Sequence, residues 1–194
     1  MEHFYNNIEG WFNFPEMYKT AINKFPTNSH FVEIGSWLGK SSSFMAVEIA
    51  NSNKNIKFDC VDTWLGSTEH ISANSNCFHS ATTKIDGLYN LFLTNTNSVK
   101  HIIKPIRLSS LDAVNTYQNN SLDFVFIDAS HDYENVKADI LAWYPKVKPG
   151  GILAGHDYNT GWKGVINAVN EFVTQHNYQM FASGKEDCWG FIKK

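Results

Sequence analysis

Short, nearly continuous apolar runs recur along this 194-residue chain, each followed by a stretch of helical spacing, and that alternation leaves few folds open. Runs of strand length fall at His30–Ile34, Ile56–Asp62, Ile102–Leu108, Leu122–Asp128, Gly151–His156, Tyr178–Ser183 and Cys188–Lys193. Several are continuous, such as Phe124–Ile127, which is the mark of strands covered on both faces. Helical stretches lie near Ser41–Ala50, Ser110–Tyr117, Tyr133–Tyr144 and Val165–His176. The alternation predicts an α/β fold with one doubly wound, mostly parallel sheet. Only about Gly184–Asp187 separates the last two strand runs, so they are expected to pair as an antiparallel hairpin. No repeat or linker divides the chain, which reads as a single domain over 1–194.

Composition narrows the partners. Sixteen basic against nineteen acidic residues give a net charge of −3, which argues against sequence-independent binding to nucleic acid. Aromatic residues make up 14% but are scattered at core spacings without a Lys/Arg stripe, so they read as core. No apolar run approaches the ~20 residues of a membrane span, and the N-terminus has no secretory pattern. Cys60, Cys77 and Cys188 form no CxxC pair, which suggests reduced thiols in a cytoplasmic protein. Residues 1–29, rich in aromatics, are expected to supply a helix packed on the sheet or its rim. Residues 65–83 are polar, unperiodic and long for a connection, the profile of a lid or substrate loop.

The segment FVEIGSWLGKSS carries the most chemistry. An apolar strand ends at Ile34, Gly35 and Gly39 bracket a turn, and a helix starts near Ser41. Glycines there permit a sharp turn and close approach of a ligand, and the helix N-terminus offers N–H groups to an anion. A P-loop needs four residues between its first glycine and its Gly-Lys, whereas Gly35 and Gly39 enclose three, with bulky Trp37 and Leu38 among them. GxGxxG fails as well, since Ser36 and Trp37 stand where a second glycine would fall. Glu33 would repel a triphosphate and suits a ligand with a cationic or zwitterionic end. On the second strand, Asp62 stands where an acid can accept ribose hydroxyls, or else cap a helix. Trp64 can flank an adenine ring or fill the core.

These motifs, with CVDTWLGSTEH, FVFIDASHDYENVKADILAWYPKVKPGGILAGHDY and GVINAVNEF, resemble the small class I S-adenosylmethionine-dependent methyltransferases from about Gly10 to Lys194. The resemblance implies a Rossmann-like seven-stranded sheet of order 3-2-1-4-5-7-6 with strand 7 antiparallel. It implies S-adenosyl-L-methionine as cofactor, contacted by Glu33, Gly35, Ser36 and Gly39 in the glycine loop, by Asp62, Thr63 and Trp64 after the second strand, by Ser110 and Leu111 after the third, and by Asp128. The glycine loop has two glycines where many members of the class have three.

A second concentration of chemistry lies in IDASHDYE and GHDY. Asp128 ends one buried strand, and His156 with Asp157 ends its expected neighbour, so these side chains can converge. His131 can reach the same space, while Asp132 reads as a helix N-cap and Glu134 as its first-turn acid. Two carboxylates and an imidazole can hold Mg²⁺ or another divalent cation. By resemblance to metal-dependent O-methyltransferases, Asp128, His156 and Asp157 match the ligand positions and His131 the base position, with Asp128 beside it in the catalytic set. The expectation is an S-adenosylmethionine-dependent methyltransferase acting on a small-molecule hydroxyl. A P-loop-type hydrolase or kinase and a catalytically silent nucleotide-binding domain are the alternatives. Acceptor choice falls to residues 1–29 and 65–83, where no motif speaks, and oligomeric state is equally silent.

Overall fold

In the computed structural model, which describes the backbone of all 194 residues and every side chain except those of Thr68 and Glu69, seven strands form one sheet. They are β1 (His30–Ile34), β2 (Lys57–Asp62), β3 (Ile103–Arg107), β4 (Leu122–Ile127), β5 (Val147–Gly155), β6 (Phe181–Ser183) and β7 (Cys188–Ile192). Their order is β3-β2-β1-β4-β5-β7-β6; β1 to β5 pair in parallel, and β7 runs antiparallel to β5 and β6. The doubly wound sheet implied by the sequence is therefore present. Helices α1 (Pro15–Lys24), α2 (Lys40–Ser52), α3 (Thr68–Ile71), α4 (Gly87–Asn95), α5 (Ser110–Ala113), α6 (Tyr133–Trp143) and α7 (Lys163–Gln175) complete the chain.

The two-residue period of the strands sorts their side chains between two cores. Phe31, Phe58, Phe124 and Phe126 face α1, α2 and α4, whereas Val32, Ile34, Val61, Val125 and Ile127 face α5, α6 and α7. α7 buries Val165, Ala168, Val169, Phe172 and Val173, a single helical stripe. α6 starts as its sequence predicts, with the Asp132 side chain accepting from the Asn135 N–H and Glu134 in the first turn. Among the described residues, no helix is long and apolar enough to cross a membrane.

Several boundaries differ from the sequence reading. β5 begins at Val147 because Val147 already pairs with Leu122 before the ladder shifts register. β6 shrinks to three residues, and the helix after β3 passes into a 3₁₀ turn at Val114. Residues 65–83 include α3 and a 3₁₀ turn at Ser80–Thr83, so they are more ordered than their composition suggests. α4 has no counterpart in the sequence reading. Leu88, Leu91, Phe92 and Leu93 leave it no clear polar face, and only Leu88 and Phe92 become buried.

The strand ladders continue past the strand ends and draw three connections together. The Asp128 N–H donates to Ile34 O (2.8 Å), Gly35 N–H to Val61 O (2.9 Å) and His156 N–H to Ile127 O (3.1 Å). At Gly35 φ is +87°, and a Cβ there would lie 1.9 Å from the Asp128 carbonyl oxygen. The glycine is required by the neighbouring backbone, a reason the loop's sequence alone does not disclose. Gly150, at φ +79° with nothing within 4 Å, supplies the control. Gly150→Ala should lose only the left-handed cost of ~1–2 kcal/mol. Gly35→Ala should lose clearly more in urea unfolding, and equal losses would refute the backbone-contact account.

Candidate active site

At the carboxyl edge of the sheet lies a cleft of about 720 Å³, a size suited to a small-molecule site. Gly35, Ser36 and Trp37 form one wall, and Asp62, Thr63, Ser110 and Asp128 line the floor and far side. The N-terminal segment Gly10–Phe14 crosses it, and Gly66, Ser67, His70 and Cys77 approach from the 65–83 segment.

Asp62 holds the glycine loop in shape. Its Oδ2 accepts from the N–H groups of Ser36 (3.0 Å) and Trp37 (2.8 Å), and its Oδ1 from that of Trp64 (2.7 Å). Trp37 and Trp64 both carry positive φ, +46° and +51°, uncommon for bulky side chains, and these bonds stabilise both turns. Those loop amides are the groups a P-loop would offer to phosphate, so the phosphate-binding alternative loses its donors to a carboxylate. A carboxylate has about four acceptor sites, which leaves Asp62 capacity for a ligand as well.

Four of the residues expected at the cofactor sit elsewhere. Glu33 points into the aromatic core, where Tyr18 OH donates to it at 2.6 Å and Ser42 Oγ also donates. Burial raises its carboxyl above the ordinary range against the pull of these hydroxyls. Gly39 is a packing glycine: a Cβ there would meet Thr96 Cγ2 at 2.6 Å and the Phe92 ring at 3.1 Å. Trp64 is a core residue, 3% exposed, wedged against Tyr89 and Phe92 with its indole N–H on Trp37 O. Leu111 is half exposed and does not line the cleft.

The polar residues after β4 and β5 do converge. His131 Nε2 lies 2.8 Å from Asp157 Oδ2, and His156 Nδ1 lies 3.3 Å from the same oxygen and 3.7 Å from Asp128 Oδ1. His156 Nε2 meets Asn13 Oδ1 at 2.7 Å. Burial pulls the His156 imidazole down, but its bonds to Asp128 and Asp157 outweigh this and push it up to about 10. Burial likewise works against the Asp157 charge, yet His131 and His156 hold its carboxyl well below the usual range. His156, expected among the metal ligands, meets Asn13 and Asp157 through its two ring nitrogens. The ligand-type group is Asp128, His131 and Asp157, whose donor atoms all lie within 4.8 Å of one another.

Two cleft residues escaped sequence reasoning. Asn13, on the N-terminal segment, is 143 positions from the His156 it meets, and no local pattern could announce that contact. Trp162 packs its ring 4.2 Å from that of His131. The GHDYNTGW stretch places it just beyond Asp157 and was the one available hint.

Since three amides lose a charged acceptor, Asp62→Ala should lower the stability of the ligand-free protein by roughly 2–4 kcal/mol. An unchanged melting temperature without ligand would show that Asp62 faces only a ligand.

Comparison with known proteins identifies the family and the fold. A model of the methyltransferase domain family matches residues 32–158. Protein y4gI of Sinorhizobium fredii is 25% identical over 166 residues, covering 80% of this chain, and the alignment spans only 17% of that longer protein. Among solved structures, the O-methyltransferase NovP superposes with a TM-score of 0.71 at 15% identity, covering 93% of this chain and 79% of its own. TomG, an O-methyltransferase from Streptomyces achromogenes solved with SAM, gives 0.62 at 12% identity over 93% and 79%. The O-methyltransferase from Bacillus cereus in complex with SAH gives 0.59 at 16% identity over 97% and 86%. At these identities the structural likeness is one of fold. The matched family model covers the glycine loop, Asp62, Asp128, His131 and Asp157 alike, and the chain belongs to the methyltransferase domain family, with the Rossmann-like fold of its S-adenosylmethionine-dependent members.

Proposed function

We propose that this methyltransferase transfers the methyl group of S-adenosylmethionine to a hydroxyl oxygen of a small-molecule acceptor. One observation carries the reading: the glycine loop and the Asp128, His131, Asp157 group share one cleft. The cofactor supplies a methyl group already activated by its sulfonium, so the protein's tasks are alignment and removal of the acceptor's proton. In this reading Gly35, Ser36, Asp62, Thr63 and Ser110, which line the cleft, serve the cofactor, and Asp128 serves both cofactor and acceptor. The solved relatives named above are O-methyltransferases, which favours oxygen as the acceptor atom. The N-terminal segment and the 65–83 segment, with Trp11, Phe12 and His70 at the cleft, enclose the acceptor. The unpaired cysteines fit a reducing, cytoplasmic setting.

Two routes can remove the proton, and each has an observation behind it. Two carboxylates and an imidazole within 4.8 Å fit a hard or borderline divalent cation held by Asp128, His131 and Asp157. Such an ion would lower the acceptor's pKa. The 2.8 Å contact between His131 and Asp157 also fits an oriented base: the imidazole takes up the proton and Asp157 stabilises the imidazolium. Trp162 against the ring restricts its rotation in either case.

S-adenosylhomocysteine should raise the melting temperature by mass action, and ATP with Mg²⁺ should do far less. Stabilisation by ATP alone would overturn the cofactor assignment. For the chemistry, turnover of an accepted substrate is compared with and without a chelator. On the metal route chelation abolishes turnover, Asp157→Asn imitates it, and cofactor binding survives both. On the metal-free route chelation does nothing, and His131→Ala lowers the rate by roughly 10²–10⁴-fold. Indifference to both treatments would remove the cluster from the mechanism.

A further inference from the structure

Behind the Asp128–His131 loop lies a second chamber of about 10 Å³, room for one water molecule and nothing larger. Ile127, Val136 and Val165 form its apolar side. Asp128, Ala129, Ser130, His131 and His156 line both this chamber and the cleft, so the loop is a thin wall between the two. The remaining side is Trp189 of β7, 1% exposed. Among the described residues, its indole N–H has no hydrogen-bond partner.

An indole nitrogen can only donate, and a buried donor left unpaired carries the full cost of its desolvation. The ring has no room to swing towards an acceptor. It lies against the backbone of Gly155, where a Cβ would stand 2.7 Å from Cε2, the carbon bonded to Nε1. Trp143 and Trp64 are also buried, yet each has its acceptor, Ser110 Oγ and Trp37 O, both at 2.8 Å. Trp189 borders a chamber instead. Cavities stay dry when their lining is apolar, and this one is half polar. A cation inside it would meet the indole hydrogen, and an anion the Asp128 carboxylate. Water accepts from the one and donates to the other.

We propose that the chamber binds a single water molecule, which accepts from Trp189 Nε1–H and donates to the Asp128–His131 loop, and that Trp189 is through it a positioning residue for that loop. A bridging water is nearly as good as a direct hydrogen bond, so it ties the wall carrying Asp128 and His131 to β7. From the other side the loop is braced by α7, where a Cβ on Gly164 would lie 2.6 Å from Tyr133 N. The bridge does not depend on methyl transfer, and its test is independent of that reading.

The test uses the ¹⁵N-labelled protein and reads water-selective nuclear Overhauser transfer to the tryptophan indole protons. The Trp189 proton should show a cross-peak to water, and that of Trp64, which donates to a backbone carbonyl, should not. Trp189→Phe removes the donor. Val136→Ile keeps the donor but fills the chamber, so it should erase the cross-peak. In both variants the backbone order parameters of Ala129, Ser130 and His131 should fall from about 0.85 towards about 0.6, while those of α2 stay unchanged. No cross-peak at native Trp189 overturns the proposal, and so does one that survives Val136→Ile. Unchanged loop order in the variants overturns the positioning role. A fall shared by α2 is general loosening and overturns it too. Should Trp189→Phe fail to fold, Val136→Ile decides both points.

Discussion

The site depends on a contact between two backbones. Gly35 can follow β1 directly only because it has no Cβ, since one would sit 1.9 Å from the carbonyl of Asp128. That approach carries the glycine loop to the end of β4, and the Asp128-to-Ile34 and His156-to-Ile127 hydrogen bonds extend the register across three neighbouring strands. Asp128, His156 and Asp157 converge because the sheet has no slack at this edge. Asp62 then sets the shape of the loop by accepting from two of its amides. These bonds order the cleft wall from within the chain itself, the condition under which ligand binding costs least conformational entropy.

Three carboxylates, Glu33 and Asp139 in the core and half-buried Asp62 at the cleft, are each held by neutral donors: hydroxyls for Glu33, amides for Asp62 and one hydroxyl for Asp139. Buried Asp123 instead pairs with Lys148, and the Lys137–Glu171 and Arg107–Asp86 pairs lie towards solvent. Neutral donors leave the negative charge uncancelled but fix the orientation of every donor that serves it. Glu33 orders the start of α2 through Ser42, Asp62 orders the glycine loop, and Asp139 orders the serine hydroxyl at the cleft wall. Around Asp157 the imidazoles of His131 and His156 meet the carboxylate, and His156 is itself held by Asn13 from the N-terminal segment.

One side of the cleft is assembled from parts distant in sequence. His70 stacks on Trp37 at 4.0 Å and faces Trp11 at 6.1 Å, so the 65–83 segment, the glycine loop and the N-terminal segment meet in one aromatic contact. Lys40 Nζ donates to Gly10 O and fastens the N-terminal segment to the start of α2. The Glu186 carboxylate, on the hairpin turn before β7, accepts from the backbone N–H of Glu16 at 2.7 Å and fastens the start of α1. The segments around the cleft are therefore mechanically joined, although nothing in any one stretch of sequence refers to the others.

Much of this protein was decided by patterns within a few residues of each other. Continuous apolar runs alternating with helical spacing required a doubly wound sheet, the short gap before Cys188 required the hairpin, and Asp132 with Glu134 required a helix start. Burial on both faces and local capping are properties a short segment carries wherever it is placed. The roles of single residues at the cleft were decided otherwise. Glu33, Gly39 and Trp64 stand inside motifs that speak of a ligand, yet Tyr18, α4 and Tyr89 claim them for the core. His156 stands where its spacing suggested a metal ligand, yet Asn13 meets its Nε2 from the other end of the chain, while Asp157 meets both His156 and His131. Those outcomes depend on which donor lies within about 3 Å of which acceptor, a distance set by packing between segments a hundred residues apart.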